Sequence, residues 1–159
     1  MKITRHYTKE KKDAYSSINF RTTSSEIRNP DGSLVFSQTG VEVPEGWSQV
    51  AADVLAQKYF RKAGIPKVLK KVPEKGVPKF LWRSVSDEAS MSNYEDADRY
   101  RGEESCKEVF DRMVGAWTYW GWKGDYFDNE KDAKAFYDEM RFILATQQGA
   151  PNSPQWFNT

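Results

Sequence analysis

The sequence predicts an α+β fold, predominantly α-helical, with an N-terminal β-hairpin followed by a three-helix region. Three observations carry this. Val109, Met113, Ala116, Trp117 and Trp120 fall at offsets 0, 4, 7, 8 and 11, and Ala133, Phe136, Tyr137, Met140, Ile143 and Leu144 at 0, 3, 4, 7, 10 and 11. Both series are stripes along one face of a 3.6-residue helix. A third segment, 47–63, places Ala51, Leu55 and Tyr59 beside Val50 and Val54, again at helical spacing. Ahead of all three, Asn29-Pro30-Asp31-Gly32 separates two segments of strand character; proline presets one corner of a turn and glycine accepts positive φ.

Taken in order, residues 1–14 are basic and polar, with Lys2, Arg5, His6, Lys9, Lys11 and Lys12, and read as a flexible, solvated arm. The alternative is an arm that meets a nucleotide or another subunit. The hairpin has expected strands near 18–28 and 33–43, with Ile18 to Thr22 alternating and Leu34-Val35-Phe36 apolar. Ser24, Ser25 and Glu26 lie in its first strand, where a ligand-facing role is open. The first helix, 47–63, has Ser48 as N-cap and Trp47 placed to staple onto the first turn. Lys58, Arg61 and Lys62 complement its dipole, and Gly64 and Pro66 stop it. Residues 65–101 form a loop-rich connection with three prolines and an apolar knot, Phe80-Leu81-Trp82; Ser86 to Arg99 is a short helix or a mobile loop. The second helix is expected over 103–120 and the third over 129–147, capped by Asp128 or Asn129, the two packed as an antiparallel pair. Pro151 and Pro154 then read as a turn feeding a strand, Gln155–Thr159, that carries Trp156 and Phe157.

Lys and Arg total 24 against 23 Asp and Glu, a net charge of +1, so no global field favours nucleic acid or an anionic membrane. A mean hydropathy of −0.80 and short apolar runs argue against a membrane span. Nothing near Met1 resembles a signal peptide, and the single cysteine rules out an internal disulfide framework. The expected compartment is cytoplasmic. Aromatic residues reach 14%, with six Trp, which is surface that needs burial in this chain or against a partner.

Catalytic constellations are scarce. One His and one Cys cannot supply a zinc cluster, and no glycine-rich phosphate loop is present. A nucleophile triad would need His6, in the arm. Cys106 opens the second helix, where a thiolate would be favoured, though a plain small core residue is the simpler reading. The Trp117 to Trp122 run is read as core because its phasing is helical, against the alternative of a base-stacking platform.

Four stretches resemble the N-terminal portion of class II, adenosylcobalamin-dependent (vitamin B12-dependent) ribonucleotide reductases: Thr23 to Ser33, Trp47 to Gly64, Thr118 to Gly124, and Ala150 to Thr159. The resemblance spans about residues 15–159 and is poorest at 86–101. It implies an oxidoreductase, a ribonucleoside-diphosphate reductase by type, that makes deoxyribonucleotides for DNA synthesis. Adenosylcobalamin would generate a thiyl radical on a cysteine inside a ten-stranded α/β barrel downstream of Thr159; Cys106 matches none of the catalytic cysteines. The expected layout is a flexible arm at 1–14, a helical region with the hairpin at 15–149, and the start of the truncated barrel, its first strand, at 150–159. No cofactor-binding, metal-binding or catalytic residue is expected within these residues, so the piece alone is expected to be inactive. One site carries over from the resemblance: Ser153, before Pro154, would bind the substrate's phosphates. Its partners would be the ribonucleotide and the remainder of the reductase, with a homodimer left open and neither nucleic acid nor membrane involved.

Two other classes compete. One is a non-catalytic interaction or regulatory module that shares the helical region and binds a partner through its aromatic faces. The other is a single-strand nucleic-acid binder using the Trp cluster and the Lys67–Lys75 run, disfavoured by the neutral net charge.

Overall fold

The computed structural model describes residues 1–159. Strands β1 (Phe20–Arg28) and β2 (Leu34–Pro44) form the antiparallel hairpin. Gly32 turns with φ of 85°, the Ser33 amide donates to Asp31 at 2.9 Å, and the Asn29 amide donates to the Ser33 carbonyl at 2.9 Å. The register pairs Phe20 with Pro44 and slips between Thr23 and Ser25. Val41 and Val43 point into the core with no exposed surface. Ser25, at the slip, is itself fully buried, while Glu26 is exposed and pairs with Arg28 at 3.2 Å.

Helix α1 spans Gln49–Val54, with Ser48 Oγ accepting from the Ala51 amide at 3.2 Å. The expected helix over 47–63 does not continue. It widens into a π-helical turn, Leu55–Tyr59, and ends at Phe60, whose backbone is extended (φ −64°, ψ 133°). Leu55, Ala56 and Phe60 are all buried, while Val50 is 71% exposed.

The chain divides into two compact units, Met1–Phe60 with Glu104–Thr159, and Arg61–Glu103. The second unit holds β3 (Ile65–Pro66), β4 (Leu69–Lys71), β5 (Ser84–Ser86), α2 (Glu88–Met91) and β6 (Tyr100–Arg101). Its ladders are antiparallel, β3 with β6 and β4 with β5. Its two ends are tied together: the Arg61 amide donates to Glu103 Oε2 and the Glu103 amide to the Arg61 carbonyl, both at 2.8 Å. The Trp82 indole donates to the Val77 carbonyl at 2.9 Å.

In the first unit, α3 (Cys106–Lys123) begins three residues later than expected. Ser105 and Glu108 make a reciprocal capping box, which fixes the start. Gly121 does not stop the helix; a Cβ there would lie 2.7 Å from the Phe127 ring, so its missing side chain makes room for that ring. Helix α4 (Glu130–Ala145) follows, capped by Asn129, whose Oδ1 accepts from the Asp132 amide at 3.1 Å. The two run antiparallel: Arg141 meets Asp111 at 3.1 Å, one helix turn from where Tyr137 passes Gly115. Their core joins Val109, Phe110, Met113, Val114 and Leu144 to Trp47, Leu55 and Phe60. Trp47 is buried against Phe110, ring centroids 6.0 Å apart, and its indole donates to the Ala145 carbonyl at 2.8 Å. It ties the start of α1 to the helix pair.

The buried line along α3 is Val114, Thr118 and Gly121 in its second half, not the Trp117–Trp120 stripe; Trp120 is 58% exposed. On α4 a second face is covered as well. Asp132, Asp138, Glu139 and Arg141 are buried because residues 3–15 lie across them. The Ile3 amide donates to Asp132 at 2.8 Å, Arg5 pairs with Asp138 at 2.9 Å, and Tyr7 stacks on Phe142 at 5.1 Å. The basic arm expected to be solvated is thus tied down. Arg141 stacks on Tyr137 at 4.1 Å and on Tyr15 at 5.0 Å, and bonds Asp138 at 2.8 Å. Burial pushes the Tyr15 hydroxyl far above its ordinary pKa and the Tyr137 hydroxyl up to about 12, so both rings stay neutral beside the cation.

The expected strand Gln155–Thr159 is instead a short helix, α5 (Ser153–Asn158). Pro154 sits in its first turn, where a missing N–H costs nothing and the fixed φ suits a helix. No helix is long and apolar enough to cross a membrane.

Candidate functional site

The residue singled out by the sequence, Ser153, opens α5 and is exposed. Three side chains from earlier elements hold the segment around it. Tyr59, at the end of the π turn, stacks its ring on Trp156 (centroids 5.1 Å apart, 27° between planes) and meets Phe157 at 5.2 Å. Its hydroxyl lies 3.2 Å from Ser153 Oγ. Trp117, from α3, donates its indole N–H to Gln155 Oε1 at 3.0 Å. Arg112, also on α3, spreads its guanidinium over three carbonyls: Tyr59 at 2.8 Å, Trp156 at 3.2 Å and Thr159 at 2.8 Å. A planar fork suits this task, since one rigid group fixes the π turn and α5 at once. Trp156 closes the underside, its edge toward Phe110 and its indole on the Pro151 carbonyl at 3.0 Å. Phe157 remains 57% exposed.

The result is an exposed pair of neutral hydroxyls on a scaffold of stacked rings and one arginine. It can donate hydrogen bonds to an anion. Sequence reading found Ser153 but took Tyr59 as one more apolar-face residue and passed over Arg112. The available signal for Tyr59 was its place at the end of the helix, where a phenol reaches past the backbone.

The other reactive residues do not join this site. Cys106 is fully buried in the core, and burial pushes its thiol up to about 12, against the thiolate that a helix start would favour. The backbone amide of His6 is occupied by Glu139 in the arm. A cleft of about 670 Å³ beside α4 is lined wholly by charged side chains, Arg5, Lys12 and Glu130 among them. Such a lining does not fit a corrin, whose ring faces are largely apolar.

Comparison with known proteins bears on what this scaffold serves. A family model described as class II vitamin B12-dependent ribonucleotide reductase matches residues 21–147, most of the chain, and the chain belongs to that family as an N-terminal part. Its curated relatives are each named vitamin B12-dependent ribonucleotide reductase. The Bradyrhizobium diazoefficiens protein is 62% identical over all of this chain, which covers 13% of that relative. The Agrobacterium fabrum protein is 58% identical, again over all of this chain and 12% of the relative. The Rhodopirellula baltica protein is 30% identical over 85% of this chain and 10% of the relative. The chain spans about one-eighth of the length of the first two.

Proposed function

We propose that the chain works as the N-terminal part of an adenosylcobalamin-dependent ribonucleotide reductase, which converts ribonucleotides to deoxyribonucleotides for DNA synthesis in the cytoplasm. The observation that carries this is identity of 62% along the whole chain to a relative of that name. In the complete enzyme the cofactor would supply the radical chemistry, directed to a cysteine inside an α/β barrel outside these residues. The contribution of these residues is positional. Residues 15–149 pack beside the barrel, residues 150–159 lead toward it, and Ser153 donates its hydroxyl to the substrate's phosphates. A small hydroxyl on an ordered turn can reach a phosphate oxygen without steric cost. The partners are the ribonucleotide and the remainder of the reductase.

The test is complementation. This chain is mixed with a separately expressed remainder of the reductase, and adenosylcobalamin-dependent deoxyribonucleotide formation is assayed. Activity in the mixture and in neither piece alone is expected. Two folded, associated pieces without activity would overturn the proposal and favour a non-catalytic module.

A further inference from the structure

We infer that Tyr59 is a second phosphate ligand, its hydroxyl acting beside that of Ser153, with Arg112 as the residue that positions the pair. The inference rests on the phosphate-binding reading of Ser153 and goes beyond it, since the sequence reading placed Tyr59 on an apolar helix face.

The argument starts from the backbone. A π turn is rare, and such turns within helices are frequent at functional sites. Here it occupies Leu55–Tyr59, with Leu55 and Ala56 buried beneath it, and it ends on the one tyrosine whose hydroxyl meets Ser153. The Tyr59 ring cannot swing freely, because Trp156 stacks on one part of it and Phe157 leans on another. The hydroxyl is thus held at the edge of an aromatic cluster and turned to solvent. In a pair of hydroxyls 3.2 Å apart, one O–H donates to the other oxygen. The second O–H is then left for an incoming acceptor. Neither hydroxyl bonds a carboxylate, so no negative charge in the pair opposes an anion. A phosphate group that reaches Ser153 Oγ is also within reach of the Tyr59 hydroxyl.

Arg112 sets the spacing. It bonds the Tyr59 carbonyl at 2.8 Å and the carbonyls of Trp156 and Thr159 at 3.2 and 2.8 Å, so both hydroxyls are referred to one guanidinium. Its charge also favours an anion nearby. Lysine could keep the charge but not the three-way fork.

The experiment uses the full-length reductase that carries this chain. Tyr59→Phe keeps the ring stack and removes only the hydroxyl. Binding of a ribonucleoside diphosphate and of the matching phosphate-free ribonucleoside is measured by calorimetry, with KM and kcat alongside. Loss of one hydrogen bond to a charged group is expected to weaken diphosphate binding and raise KM about tenfold. Ribonucleoside binding should be unchanged and the effect on kcat much smaller than that on KM. Arg112→Lys should raise KM in the same direction, and Tyr59→Phe with Ser153→Ala should cost less than the product of the two single effects. If Tyr59→Phe leaves diphosphate affinity unchanged while Ser153→Ala lowers it, the inference fails and the Ser153 reading stands. If neither substitution changes it, both fail. If Tyr59→Phe weakens diphosphate and ribonucleoside equally, Tyr59 acts through structure and the inference fails.

Discussion

Replacing Glu139 by glutamine should free the N-terminal arm while leaving the helix pair folded. The Glu139 carboxylate accepts from the amides of His6 at 3.0 Å, Tyr7 at 3.0 Å and Thr8 at 2.8 Å, and from the Thr8 hydroxyl. Four donors converge on two oxygens. Glutamine offers one oxygen and turns an NH2 group toward the remaining amides, so about two of the four donors lose their acceptor. At about 1.5 kcal/mol or more for each bond to a charged group, the arm loses roughly 3 kcal/mol. The other anchors, Asp132, Asp138 and Phe142, limit the damage to local opening. Amide hydrogen exchange at residues 6–8 should therefore accelerate about 100-fold, the change that some 3 kcal/mol implies when opening is local. The pH dependence has a definite sign. Burial acts to raise the Glu139 pKa, but the hydrogen bonds from Thr8, Tyr7 and His6 outweigh it and hold it below the usual carboxylate value. A carboxyl depressed in the folded state stabilises fully above its unfolded pKa, about 4.3, and that contribution disappears as pH falls through the lower folded value. Arm protection in the parent should fall over that acid window, after correction for intrinsic exchange, and the variant should show no such step. Equal exchange at residues 6–8 in both proteins would refute the reasoning.

Three further outcomes follow from separate contacts. Cys106 should resist iodoacetamide at pH 8 in the native chain and react on denaturation, because it is fully buried and its thiol is pushed up to about 12; rapid native alkylation would contradict the placement. Ser105→Ala removes the α3 cap and the bond from Ser105 Oγ to Glu42 at 2.6 Å, and should lower unfolding free energy by about 1–2 kcal/mol in a urea titration, whereas no change would show the cap to be idle. Gly102→Ala would put a Cβ 2.7 Å from the Lys62 carbonyl oxygen and 3.0 Å from that of Arg61. Backbone atoms cannot yield cheaply, so a cost of about 1–3 kcal/mol is expected, read as faster proteolysis within 61–103; unchanged cleavage there would contradict it.

The hairpin was legible because its turn is written in four residues whose backbone preferences agree, and α3 and α4 because their apolar spacing is long and regular. What stayed hidden depended on contacts between distant positions. Asp138, Glu139 and Arg141 carry no apolar signal, and only the arm's return across α4 makes them interior. The change to a π turn after Val54 has no local marker in the sequence. Pro151 and Pro154 read as a turn feeding a strand, whereas Pro154 sits in the first turn of a short helix. At the candidate site, Ser153 came from family resemblance, whereas Tyr59 and Arg112 emerge only when α1, α3 and α5 meet.

The arm's attachment also governs when this fold can close. His6, Tyr7 and Thr8 reach a carboxylate 133, 132 and 131 residues further along the chain. On a ribosome moving at about 5–20 residues per second, that separation corresponds to roughly 7–26 seconds. Throughout that interval the arm's amides and the Tyr7 ring lack their native partners. A nascent chain would carry this segment loose and cationic past the ribosome surface, and chaperones or proteases would meet it before α4 does. Synonymous codon changes that slow translation between the hairpin and α4 would lengthen that window without altering a single residue of the finished protein.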